Sequence, residues 1–221
     1  MALRRRHKAY IAGLIVACML IIDQIIKIKV KTGMFLHDSI RVTDWFYISF
    51  IENEGMAYGM TFINKFVLTS FRIVAVIVIA WYICRQVKKN ARMLYVILLS
   101  LILAGAAGNI IDCLVYGQVF TASTPDTLAQ IVPWGEGYAE PFYGKVVDMF
   151  YFPFIDTFLP DWVPIWGGER FVFFQPVFNF ADACISVGVV ALLLFCTKEV
   201  SQISFTKTKQ TEDSNEEKAE E

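Results

Sequence analysis

The chain has 221 residues, 56 % of them hydrophobic, with a formal net charge of −1. Its apolar residues fall in long blocks rather than at amphipathic spacing, which excludes an ordinary soluble domain, and the balanced charge gives no reason to expect nucleic acid as a partner. Four blocks approach the roughly 20 residues that a helix needs to cross a bilayer: Tyr10–Val30, Phe66–Cys84, Met93–Tyr116 and Val177–Cys196. The expected fold is an all-α polytopic membrane protein of four transmembrane helices with a small extracytoplasmic β or irregular platform. One membrane domain spans residues 1–205, and the polar stretch 206–221 reads as a disordered cytoplasmic tail.

Arg4, Arg5, Arg6 and Lys8 precede the first block. The block runs on into Asp23, Gln24 and Lys27 without a small-residue cleavage site, so it reads as a retained anchor rather than a secretory signal. Arg85, Lys88, Lys89 and Arg92 fill the gap between the second and third blocks. Positive charge favours the cytoplasmic side, so both termini are expected inside and residues 31–65 and 117–176 outside. These outer segments hold "DWFYISFIENEGMAYGM" and "YGKVVDMFYF", whose aromatic and β-branched residues suit short strands at an interface. The five cysteines lie in or beside the apolar blocks with no CxxC spacing, which argues against a disulfide framework or a zinc site.

The first and third blocks run outward and the fourth runs inward. Asp23 and Lys27, Asn109 and Asp112, and Asn179 and Asp182 therefore meet in one layer, within roughly 10 Å of the outer boundary at 1.5 Å rise per residue. Taken singly, each has an ordinary explanation. Asp23 and Lys27, four apart, can pair on one helix face; Asp112 can be a solvated terminal residue; Asp182 suits the positive end of a helix. Their company is less ordinary. "LAGAAGNIID" sets small residues before Asn109, allowing close backbone approach, and the turn-forming "ENEGMAYG" returns Asn53 toward the same layer.

Asp148, in "KVVDMFYF", either faces water from its strand or faces Asp182 across the mouth of the bundle. In the second case two carboxylates in a poorly solvated site share one proton and can hydrolyse a peptide, one activating water and the other assisting the carbonyl. With only His7 and His37 in the chain there is no HExxH motif and no convincing serine–histidine pair. A proton-coupled transporter and a non-catalytic assembly factor are the rival readings. The first is weakened because no polar path continues through "SVGVVALLLF".

"DQIIK", "NEGMAYG", "GNIID", "VVDMF" and "FNFADACI", in this order, resemble the lipoprotein signal peptidases, or signal peptidase II. The resemblance implies an aspartic endopeptidase of the bacterial inner membrane. Such an enzyme removes the signal peptide from prolipoproteins just before a diacylglyceryl-modified cysteine, at the outer leaflet. It implies Asp148 and Asp182 as the catalytic pair, with Asp23, Lys27, Asn53, Asn109, Asp112 and Asn179 shaping the site and Gly55 and Gly108 keeping it open. Lipid-modified prolipoproteins, membrane lipids and inhibitory cyclic peptide antibiotics are the implied partners, and no metal or organic cofactor is indicated. Asn179 is expected to bond either substrate backbone or Asp182. The sequence departs from the family at Cys113, where most members have arginine; Lys145 and Arg170 are candidate substitutes. The stretches Thr121–Tyr143 and Pro153–Gln175 are longer than typical; they either form a lid or platform that contacts substrate, the role expected here, or only pad the interface.

Overall fold

The computed structural model describes residues 2–54 and 64–201. Gly55 and the proposed tail therefore lie outside the described residues. Helix α1 is Ala2–Gly33, α2 Lys65–Lys88 and α3 Met93–Ile111. A π-helical turn, Asp112–Tyr116, and the short α4, Gly117–Val119, continue α3; α5 is Phe180–Phe195. Among the described residues three helical stretches are long and apolar enough to cross a membrane: Leu3–Gly33, Lys65–Lys88 and Met93–Val119. Helix α5 is shorter but equally apolar.

Helix α3 is the centre of the bundle, packed against α1, α2 and α5. Small residues permit this. A Cβ on Gly105 would lie 2.3 Å from the carbonyl oxygen of Ala181, and one on Gly188 would lie 2.6 Å from Ile102 Cγ1, so α3 and α5 touch nearly backbone to backbone. Ile77, Val78 and Trp81 on α2 and Val187, Val190, Leu193 and Leu194 on α5 are exposed; such side chains are at home against hydrocarbon. At one end of the bundle Lys8 Nζ donates to the carbonyl oxygens of Asn90 and Ala91, at 3.1 and 2.6 Å. The basic start of α1 and the basic turn between α2 and α3 thus share an end.

The other end carries a sheet. Strands β1 (Ser39–Thr43), β2 (Phe46–Asn53), β3 (Val146–Tyr151) and β6 (Val177–Phe178) lie in the order β1-β2-β3-β6, each pair antiparallel. Strands β4 (Ile155–Phe158) and β5 (Arg170–Phe173) form a separate hairpin. The expected platform is thus ordered β structure, and "all-α" describes only the bundle. The fourth apolar block also starts differently: Val177 and Phe178 pair with Tyr151 and Phe150 before the helix begins at Phe180. Val30, Met34, Phe50, Tyr116, Phe120, Val147 and Met149 form the core where the sheet meets the bundle.

Candidate active site

The polar residues at the sheet end form two linked groups. The first is built around Lys27, whose side chain is 0 % exposed. Its ammonium lies 3.0 Å from Asp23 Oδ2 and 2.8 Å from Asp112 Oδ2, and donates to Asn109 Oδ1 at 2.8 Å. Two buried carboxylates and one ammonium would be costly alone, and here each charge has an opposite partner and hydrogen bonds. Asp112 is fully buried rather than a solvated terminus, because the π-helical turn and α4 carry the chain onward past it.

The carboxylates of this group also reach the other elements. Asp23 Oδ1 accepts from the backbone N–H of Ala181, in the first turn of α5, at 3.0 Å. Asp112 Oδ2 accepts from the N–H of Val147 on β3 at 3.3 Å. Gln24, inside "DQIIK", donates to Asp112 Oδ1 at 3.1 Å and accepts from the Tyr116 hydroxyl at 3.0 Å. Lys27 therefore fixes α1 and α3, and its two carboxylates fix the strand and the helix that carry Asp148 and Asp182. Gly108 leaves the room this needs: a Cβ there would sit 2.6 Å from Asp23 Oδ2.

The second group is Asp148 and Asp182. Asn179 is the N-cap of α5, in a capping box with Asp182: its Oδ1 accepts from Asp182 N at 2.9 Å, and its own N–H donates to Asp182 Oδ2 at 3.3 Å. The other end of the same amide donates to Asp148 Oδ1 at 2.6 Å. Asn53, at the end of β2, donates to Asp148 Oδ2 at 3.1 Å, and Asn109 donates to Asp182 Oδ1 at 2.8 Å. Asp148 faces inward, with 3 % of its surface exposed. Burial, and then the nearby Asp182 carboxylate, push its pKa up to about 7, while the Asn53 and Asn179 bonds pull the other way. The candidates Asp23, Lys27, Asn53, Asn109, Asp112, Asp148, Asn179 and Asp182 are thus brought together, with Gly108 beside them.

The residues first considered as substitutes for the missing arginine are engaged elsewhere. Arg170 forms a two-pronged pair with Asp156 on the β4–β5 hairpin, at 2.8 and 2.5 Å, and Lys145 Nζ lies 3.7 Å from Glu52.

A third cluster has no counterpart in the sequence reading. Buried Lys31 pairs with Glu52 and donates to Ser123 Oγ at 3.0 Å, with its ammonium 4.9 Å from the centre of the Tyr138 ring. Ser123 also donates to Glu52 Oε1, at 2.8 Å. This fastens the 121–143 stretch to β2 next to Asn53. The only signal in the sequence was the helical spacing of Lys27 and Lys31.

A bundle of apolar helices capped by a small sheet is the fold of known bacterial membrane enzymes. The chain superposes on one such enzyme solved by the in meso method with a TM-score of 0.54, at 23 % identity, covering 86 % of this chain and 90 % of that one. A second gives a TM-score of 0.53, at 24 % identity over 83 % of this chain and 90 % of that one. Residues 15–198 match the signal peptidase (SPase) II family, and the chain belongs to that family. It is 46 % identical over 200 residues to a lipoprotein signal peptidase of Porphyromonas gingivalis, covering 90 % of this chain and 88 % of the relative. A lipoprotein signal peptidase of Amoebophilus asiaticus is 35 % identical over 181 residues, with 79 % and 72 % of the two chains covered.

Proposed function

We propose that this protein is an aspartic endopeptidase that removes signal peptides from diacylglyceryl-modified prolipoproteins, cutting just before the lipid-bearing cysteine. The observation that carries this reading is that Asn179 donates to both carboxylates, from its side-chain amide to Asp148 and from its backbone N–H to Asp182. Among the described residues the hydrogen bonds to these two carboxylates come from amides, whereas Asp23 and Asp112 share an ammonium.

With its pKa raised to about 7, Asp148 holds the shared proton at neutral pH. We assign the base to Asp182. It takes a proton from a water held between the carboxyl groups as the water oxygen bonds to the scissile carbonyl carbon. Asp148 gives its proton to the carbonyl oxygen, so the intermediate is a neutral geminal diol. Asp182 then protonates the amide nitrogen, the C–N bond breaks, and a diol hydroxyl returns its proton to Asp148. The products are the carboxylic acid of the signal peptide and the amine of the lipidated cysteine, with both aspartates restored.

In this reading four spans cross the bacterial inner membrane, α5 being the fourth, with both termini cytoplasmic and the sheet outside. The dyad then lies at the depth of the outer-leaflet lipid carried by the substrate cysteine. Cleavage of a diacylglyceryl-modified prolipoprotein by the purified protein in detergent tests this. Product from the wild type, and none from folded Asp148→Asn or Asp182→Asn, is the expected result. A folded wild type that cuts nothing overturns the proposal.

A further inference from the structure

The β4–β5 hairpin is built on different rules from the rest of the sheet end. Its strands pair Ile155 with Phe173, Asp156 with Val172, Thr157 with Phe171 and Phe158 with Arg170. Directly opposed residues share a face and neighbours along a strand alternate. Ile155, Thr157, Phe171 and Phe173 therefore make one face, three-quarters apolar, and the Asp156–Arg170 pair lies on the other. All four strand residues of β4, and all of β5 except Val172, are exposed.

The tip holds its apolar side chains outward on an ordered backbone. Trp162 is 81 % and Ile165 87 % exposed, and Trp166 is exposed beside them. The N–H groups of Leu159, Val163, Gly167, Gly168 and Glu169 all bond carbonyls within the tip, at 2.9–3.1 Å. Gly168 has φ +78°, and a Cβ on Gly167 would lie 2.6 Å from Asp161 O. These bonds satisfy five of the backbone donors of the tip, and the others can meet water or headgroups at the boundary of the bilayer.

The position of the hairpin says which apolar medium this is. Its root is the aromatic stack of Trp45 with Phe152 and Phe154, at 6.1 and 6.4 Å. That stack is at the end of β2 and β3 away from the Asn53–Val146 pairing. Six residues after Phe173 the chain reaches Asn179 and enters α5, whose exposed valines and leucines face hydrocarbon. Six residues span at most about 20 Å. The hairpin thus continues the lipid-facing surface where α5 meets the boundary of the bilayer, the depth at which Trp is favoured.

We infer that the β4–β5 hairpin is a membrane-interface anchor. The Ile155, Phe171 and Phe173 face and the Trp162, Ile165 and Trp166 tip lie among the phospholipid acyl chains of the leaflet that α5 enters, and the Asp156–Arg170 pair lies toward the headgroups. The occupant is phospholipid, not substrate, so the inference does not depend on the chemistry of the dyad.

The test uses the full chain with Trp45, Trp81 and Trp134 changed to Phe, which leaves Trp162 and Trp166 of its five tryptophans. The protein is reconstituted into phosphatidylcholine vesicles without substrate, either plain or brominated on the acyl chains near the headgroup. Loss of most of the tryptophan emission in brominated vesicles, together with protection from aqueous iodide, is the expected result. Emission quenched by iodide and unchanged by bromine overturns the inference. So does protection that appears only when prolipoprotein is added, which would make the hairpin a substrate lid. If the triple variant does not fold, Trp162→Phe, Trp166→Phe in the otherwise native chain gives the same reading by difference: the bromine-quenchable fraction should fall.

Discussion

Two pairs of carboxylates sit where the sheet meets the bundle, and they are treated in opposite ways. Asp23 and Asp112 share the ammonium of Lys27, and both also take backbone N–H groups, from α5 and β3 respectively. Asp148 and Asp182 are held by the amides of Asn53, Asn109 and Asn179. An ammonium fixes the charge of its partner; an amide orients a carboxylate and leaves its proton negotiable. The first pair is therefore suited to holding the elements in place, and the second to reacting.

The largest effect should come from removing that negotiable proton. Asp148→Asn and Asp182→Asn should each slow prolipoprotein cleavage by at least about 10²–10⁴-fold, the range supplied by a positioned acid or base, while thermal unfolding in detergent stays cooperative. If either variant retains near wild-type turnover, the division between the pairs is wrong.

Lys27→Met attacks the other side of the comparison. It leaves Asp23 and Asp112 buried without their cation, and breaking such a pair costs about 3–5 kcal/mol. The unfolding midpoint should fall sharply, and adding Asp23→Asn and Asp112→Asn should restore much of it. No restoration would mean that Lys27 does more than neutralise these two groups.

Gly108→Ala should have an intermediate effect. The new Cβ, 2.6 Å from Asp23 Oδ2, must displace a carboxylate that holds α5, at a cost of about 1–3 kcal/mol. Lower kcat with little change in KM would show that the displacement reaches Asp182.

The smallest effect sharpens the chemistry. The folded-state pKa of Asp148 is raised, so its proton is present below about 7 and lost above it. On the alkaline side kcat/KM should therefore fall by about tenfold per pH unit. Asn53→Ala removes a donor that lowers this pKa; it should cost about 0.5–1.5 kcal/mol and move the alkaline limb to higher pH. A limb that stays in place would show that the titration belongs to another group.

How much of this was legible depended on range. The apolar blocks could be read because hydrocarbon demands uninterrupted runs, and Asp23, Lys27, Asn109, Asp112, Asn179 and Asp182 could be placed in one layer because helix rise converts sequence position into depth. Val177 and Phe178 could not be told from the helix that follows, since a short buried strand and the start of a span have the same hydropathy. The burial of Asp112 depends on a π-helical turn that its sequence does not announce. For Asp148, strand alternation allows either face, and the choice was made by Asn53 and Asn179, distant in sequence. The Lys31–Glu52–Ser123 contacts join three separate segments, and the helical spacing of Lys31 from Lys27 is the one local trace of them.

Asn179 has a consequence for how the site tolerates its surroundings. Helices in a bilayer tilt to follow its thickness, and two carboxylates divided between independently tilting elements would drift apart. Here one residue, Asn179, donates to both, from its side chain to Asp148 and from its backbone to Asp182, and the short β6 joins β3 to the start of α5. The separation of the two acids is gauged by one residue, so the bilayer can stretch or thin and the ruler moves with it.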